Sequence, residues 1–419
     1  MTCTAFKPIT CEVFMKQRQS SLHFLPDCRH AIRDFRRGIS LHGHTQHSRE
    51  SLGFINRHID TIPLVANVAR HAMARYQRDH GHALDFNRAY WTAPLTAGDA
   101  FDLERTQIEN LLGLEGTVSM TDHDNIDAAL GKLKAGECST VVSLEWTVPY
   151  PPAYFHVGVH NLPAESAPGL TARMQAFTQS PKEGQLAEIL AALDQIPDVL
   201  VVLNHPFWEM EPIGKARLHE MLHSFLRIYG RFIHALEVSG LRPWKENLQA
   251  MELAEILGMA VVSGGDRHGW EANTMLNVTR AATFSEFVAE VRGDGQSEIV
   301  VTPGYHREPF GLRMMQVAWD VLREYPAHSC GRTHWTDRVF FQCDDGDARP
   351  LSHCFERGEP RELRVLTGAM RQIEKQPWRA LLHAAWTRHS THAHLPPPPP
   401  RPLRPAIRPV LTGGEGSVA

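Results

Sequence analysis

The sequence predicts an α/β barrel, and three observations predict it. Short apolar runs rich in β-branched residues recur at strand length: ISLH (39–42), TVSMTDH (117–123), TVVSLE (140–145), YFHVGVH (154–160), VLVVLNH (199–205), IHALEVSG (233–240), AVVSGGD (260–266) and EIVVTPG (298–304). Helix-like stretches such as GQLAEILAALDQI and ENLQAMELAEILG lie between several of them, the alternation of a parallel α/β architecture. Nearly every run closes on a histidine or an acid. An open doubly wound sheet concentrates polar residues at one switch point, whereas a barrel gathers them at the carboxyl ends of many strands, and six or more strands contribute here.

Two regions break the rhythm. Residues 54–112 separate the first two strands and exceed an ordinary connection, which predicts a helical insertion or lid. After about residue 310 the strands give way to helix-like segments, and HLPPPPPRPLRPAIRP reads as a disordered polyproline-type tail. The division is therefore an N-terminal extension (1–37), the barrel (38–309), a helical C-terminal region (310–395) and the tail (396–419).

Composition narrows the function classes. With 42% hydrophobic and 21% charged residues the 419-residue chain has the balance of a soluble globular protein. A net charge of −4 gives no global attraction to duplex nucleic acid or anionic lipid. No apolar stretch approaches a membrane span, and the first residues lack the apolar core of a signal peptide, so a cytoplasmic protein is expected. The seven cysteines are odd in number and form no CxxC. A disulfide framework is therefore not expected, and a small zinc site among Cys330, His334, Cys343, His353 and Cys354 is a minor alternative matching no common spacing. Oligomeric state is not encoded in any feature.

The informative excess is 25 histidines. His42 and His44 stand two apart on a strand, so both rings can face one point. TDHDN adds Asp122 and His123, SLEW adds Glu145, HVGVH begins with His156, NHP holds His205, and GGDRH supplies Asp266 and His268. No single piece is specific; the ordered set is. It resembles the polymerase and histidinol phosphatase (PHP) family from about Gly38 to about residue 305.

That resemblance implies a distorted (β/α)7 barrel with two or three divalent ions (Mn, Fe or Zn) at its mouth and phosphoesterase activity. It implies that His42, His44, Glu145 and Asp266 hold a first metal. Glu145 would bridge to a second, completed by His156 and His205, while His123 and His268 would belong to a third. Imidazole and carboxylate suit these ions, and a bridging carboxylate holds two of them close enough to clamp a phosphate and generate a hydroxide for in-line attack. Asp122 is the candidate catalytic carboxylate, acting by orienting a neighbouring ligand, and Glu237 has an even claim to such a role. His47, His160 and His234 read as loop or structural histidines.

One position departs from the family. Five residues beyond His44 an aspartate is usual, and this chain has Arg49. Either Arg49 grips the phosphate in place of a third metal, or the loop slips by one residue and Glu50 supplies the carboxylate, or the site is degraded. Arg267 is a second candidate phosphate contact. The expected function is a metal-dependent phosphoesterase acting on a small phosphorylated metabolite or nucleotide. The alternatives are an amidohydrolase-like hydrolase, disfavoured because no strand-end lysine is present, and a non-catalytic metal-stabilised binding module.

Overall fold

The structure, a computed structural model, describes residues 19–25, 32–53, 63–80 and most of 85–381, with positions 138, 272, 329, 344–345, 356–360, 376, 379–380 outside the description. The polyproline-type tail lies outside the described residues. Among the described residues fourteen strands run in chain order: β1 (Gln19–Phe24), β2 (Arg37–Gly43), β3 (Glu50–Ser51), β4 (Ala89–Trp91), β5 (Glu115–Ser119), β6 (Leu144–Tyr150), β7 (Ala153–His160), β8 (Leu200–Leu203), β9 (Ala235–Ser239), β10 (Ala260–Arg267), β11 (Met275–Thr279), β12 (Gln296–Val301), β13 (Val339–Gln342) and β14 (Ala348–Pro350).

Ten of them form one sheet in the order β1-β12-β11-β2-β10-β9-β8-β7-β6, with β5 pairing β2. β8, β9 and β10 are parallel, and β2 runs parallel to β10 and β5. β7 is antiparallel to both β6 and β8, so the expected all-parallel run is interrupted there. The seven-residue β6–β7 pairing is a hairpin turning at Pro151 and Pro152, too short a connection for a crossover helix. The expected closed barrel is not shown: the ladder is open between β5 and β6, which meet only at an isolated bridge between His123 and Glu145. That bridge nevertheless brings two site residues side by side.

Helices cover the sheet because their apolar positions repeat at helical spacing. Helix Gln185–Asp194 buries Leu186, Ile189, Leu190 and Leu193, one stripe of an amphipathic helix. Helix Trp244–Leu257 ends on Gly258 at φ 63°, the left-handed cap glycine supplies without strain. Trp146, Leu144, Val157, Val201 and Leu236 fill the core between sheet and helices.

The insertion and the C-terminal region are not simply helical, as the sequence had predicted. They share a second, four-stranded sheet ordered β14-β13-β4-β3. In its central rows Glu50 pairs with Trp91, and Trp91 with Val339. Leu52, Ala89, Trp91, Val339, Phe341 and Leu351 form its own small core. Strands of two to four residues leave too little alternation to read from sequence. Helix Ala97–Leu112, capped by Thr96 accepting from the Asp99 amide, belongs to the main fold: it packs on β2 and β5 and buries Ile108. Among the described residues no helix is long and apolar enough to cross a membrane.

Candidate metal centre

β2, β6, β7 and β10, with the segments following β5 and β8, deliver their polar ends to one buried point occupied by Glu145. Its carboxylate is fully buried, and five imidazoles converge on it. His42 Nε2, His123 Nδ1 and His156 Nδ1 each lie 3.2 Å from a Glu145 oxygen. His205 Nε2 lies at 3.1 Å and His44 Nε2 at 3.5 Å. The Asn204 side-chain amide donates to the same carboxylate at 2.9 Å. Asp266 Oδ1 stands 3.5 Å from both His42 Nε2 and His44 Nε2. All eight side chains assigned to metals by the sequence are thus within one cluster.

Four ligand groups are separable inside it, the fourth being His42, His205 and Glu237. His42, His44 and Glu145 form one; His123, Glu145 and His156 form a second. The third is His44, Glu50, His123 and His268. Glu50, and not Arg49, belongs to this group. Its carboxylate reaches His123 Nε2 at 2.9 Å and His268 Nε2 at 3.3 Å, and accepts from the Ser48 hydroxyl at 2.9 Å. Ser48 also contacts His44 Nδ1 and accepts from the His123 amide, each at 3.1 Å, tying the loop after β2 to the end of β5.

The buried atoms test whether cations fit. His42 Nε2, His44 Nε2, His123 Nδ1, His156 Nδ1, His205 Nδ1 and Glu145 Oε2 are buried without a hydrogen-bond partner among the described residues. Four of these imidazole nitrogens stand 3.2–3.5 Å from Glu145 oxygens without an aligned hydrogen bond, so their lone pairs converge on shared points. Divalent ions are accepted by imidazole and carboxylate, and the donor set fits them.

Protonation points the same way. Burial holds His44 down at about 3 and His156 at about 4, leaving both rings neutral with a free lone pair. Burial also opposes charge on His123, but Glu50 and Glu145 overcome it and raise its pKa to about 10. Without cations, the acids are thus partly balanced by imidazolium. The backbone is held unusually as well: His42 (φ 65°), His205 (φ 25°) and Asp266 (φ 49°) adopt the left-handed region. Such non-glycine conformations cost of order 1–3 kcal/mol each and mark functional sites.

A ring of partners orients these groups. Glu237 Oε1 lies 2.7 Å from His42 Nδ1, which turns His42 Nε2 toward Glu145, and Oε2 accepts from the His205 amide. Glu237 sits within reach of His42 and His205 but on the far side of the His42 ring from Glu145, a carboxylate–histidine orienting pair. A Cβ on Gly264 would fall 1.5 Å from Glu237 Oε1, so only glycine fits there. Arg242 donates to Asp266 Oδ2 at 2.5 Å and stacks 3.9 Å over Trp208.

Three sequence assignments need revision or placement. Asp122 does not reach the cluster: its two oxygens accept from the Thr45 amide (2.6 Å) and hydroxyl (2.8 Å). It anchors the loop after His44 and is not a proton carrier to substrate. Arg267 is not a substrate contact: it is buried, bonded to Glu104 and the Gly269 carbonyl, because its side chain turns into the packing beneath helix Ala97–Leu112. Arg49 lines the cavity but belongs to no ligand group. His160 is buried on Ser119, and His234 binds the Val201 amide and Asp194. Cys330, His334, Cys343 and His353 form no ligand group among the described residues, and the Cys354 side chain lies outside them.

Above the cluster opens a cavity of about 600 Å³, walled by Trp91, Tyr154, Trp208, Leu241, Met314 and Val317. Arg242, Trp208 and Trp91 were missed in the sequence. Arg242 follows the ALEVSG strand by two residues, the one signal that could have found it.

No family model and no curated protein matches the chain. Solved structures similar in part include PsfC from Pseudomonas syringae, at 16% identity and TM-score 0.36, over 53% of this chain and 89% of that one. An amidohydrolase from Chromobacterium violaceum aligns at 14% identity and TM-score 0.28, over 42% and 83%. A Bifidobacterium adolescentis protein described as a metal-dependent phosphoesterase aligns at 17% identity and TM-score 0.27, over 48% and 91%.

Proposed function

We propose that this chain is a metal-dependent phosphoesterase acting on a small phosphorylated substrate. The observation that carries the proposal is Glu145 among five imidazoles, with six of the cluster's buried atoms lacking partners. His42, His44, Glu145 and Asp266 would hold one divalent ion, Glu145, His156 and His205 a second, and Glu50, His123 and His268 a third. Such ions supply Lewis-acid polarisation of phosphoryl oxygens and acidify bound water. Phosphoester hydrolysis is among the slowest uncatalysed reactions, so stacked positive charge gives it the largest stabilisation.

The chain's own residues do the rest. Glu237 and Asn204 fix the imidazole and carboxylate orientations, Asp122 fixes the loop after His44, and Arg242 holds Asp266 against the cluster. The walls of Trp91, Tyr154, Trp208, Leu241, Met314 and Val317 exclude water from the reacting end and receive the leaving group. The ordered resemblance to the PHP family and the near-contact of β5 with β6 support a barrel of that kind.

The amidohydrolase-like alternative uses a lysine between its metals, and among the described residues no lysine lines the cavity. The test is release of p-nitrophenol from its phosphate mono- and diesters by protein reconstituted with Mn²⁺, Fe²⁺ or Zn²⁺. Turnover that disappears in Asp266→Ala supports the proposal. No turnover with any metal, in protein that binds the ions stoichiometrically, points to the binding-module alternative.

A further inference from the structure

Arg49 stands where a metal-binding acid is expected, yet Glu50 has taken that work. The guanidinium is exposed, lines the mouth of the cavity, and makes no ion pair or hydrogen bond with a carboxylate among the described residues. The adjacent Glu50 cannot neutralise it, since its oxygens are turned to His123, His268 and Ser48.

Nor is Arg49 a loose surface side chain. Its guanidinium lies 5.2 Å from the Tyr90 ring centre. Tyr90 stacks on Phe340 at 5.2 Å and 12° between planes, and the Arg332 guanidinium lies 5.1 Å from the Phe340 ring centre. The four side chains make a ladder, cation–ring–ring–cation, carried by β4, β13 and the segments beside them. Cation–π contact within about 6 Å holds a guanidinium in orientation without using its N–H donors. A planar fork held in place, with its donors free, is suited to a carboxylate or phosphate.

We infer that Arg49 is a specificity residue that binds a second anionic group of the substrate, distal to the phosphate at the metals. This rests on the proposed function for the placement of the first phosphate. The substrate class is therefore a phosphoester whose leaving group itself carries a carboxylate or a phosphate. The apolar walls accommodate the chain linking the two anions, and Arg49 reads the far one. The ladder gives the C-terminal region a share in selectivity, because Phe340 and Arg332 belong to it.

The test is calorimetric binding to the metal-loaded full-length protein, with turnover measured in parallel. The probes are n-alkyl phosphates, ω-carboxyalkyl phosphates and alkanediol bisphosphates of two to six carbons. In the wild type at least one dianionic series binds about ten-fold or more tightly than the alkyl phosphate of equal length. The ratio collapses toward one in Arg49→Ala, falls less in Arg49→Lys, and falls partway in Phe340→Ala through loss of the ladder. Preference for the carboxyl series alone, or the bisphosphate series alone, identifies the distal group. A preference retained in Arg49→Ala, or absent from the wild type at every length, overturns the inference. Binding without turnover would count against the phosphoesterase while leaving the Arg49 result readable.

Discussion

At the scale of single residues, Glu145 and Glu237 do different work with the same side chain. Glu145 meets five imidazoles, whereas Glu237 meets one imidazole and one backbone amide behind the ligands. Glu145→Gln is expected to abolish stoichiometric metal binding and turnover together, read by metal analysis after gel filtration. Glu237→Gln should fold and bind metal, with affinity or activity reduced by about 10–100-fold, the usual cost of removing an orienting carboxylate. Protonation gives a further expectation. His123 carries a raised pKa of about 10 in the ion-free protein, above the unfolded value of 6.5, so its contribution to stability is full below pH 6.5. It is lost as pH rises toward about 10. His44 and His156, depressed to about 3 and about 4, act oppositely, and the ion-free protein loses stability as pH falls below about 6.5. A melting-temperature profile of metal-free protein should therefore fall on both sides of neutrality. Metal binding should release the His123 proton, seen as a buffer-dependent enthalpy, and Glu50→Gln should reduce that release.

At the scale of elements, the large sheet presents the first two ligand groups, while β3 of the small sheet presents Glu50. The row Glu50–Trp91–Val339 crosses three strands, one of them from the C-terminal region. Phe341→Ala removes a buried ring from that sheet's core and should cost about 3–5 kcal/mol locally. Metal titration should then show the Glu50–His123–His268 group weakened while the His42–His44–Glu145 group binds as before. This is also where legibility in the sequence ended. HxH on a strand, TDHDN and GGDRH could be read because each sits at the end of a long apolar run. The ambiguity at Arg49 could be framed as three readings but not decided, because the placement of Glu50 depends on a two-residue strand pairing with Trp91. Arg267 misled for a related reason: its neighbours Asp266 and His268 face the site, but its own guanidinium turns to Glu104, a partner 163 positions away. Asp122 was expected to orient a neighbouring ligand, whereas its carboxylate holds Thr45, a partner 77 positions away that was not foreseeable.

At the scale of the molecule, the insertion and the C-terminal region are walls of one cavity rather than appendages to a barrel. Trp91 from the insertion and Met314 and Val317 from helix Phe310–Leu322 face the same space as the metal ligands. The sequence's expectation of a helical insertion and a helical C-terminal region did not include the sheet that joins them, since its strands are short and distant in the chain. The functional account depends on one claim, that the Glu145 cluster is a cation site. The most direct measurement is anomalous diffraction from crystals of the Mn²⁺-loaded protein, collected above and below the metal absorption edge. The account requires peaks within about 2.0–2.3 Å of both Glu145 oxygens, with His42, His44, His156 and His205 among the ligands. Crystals grown with Mn²⁺ that show no anomalous density at Glu145, with the surrounding imidazoles bridged by water instead, would contradict it.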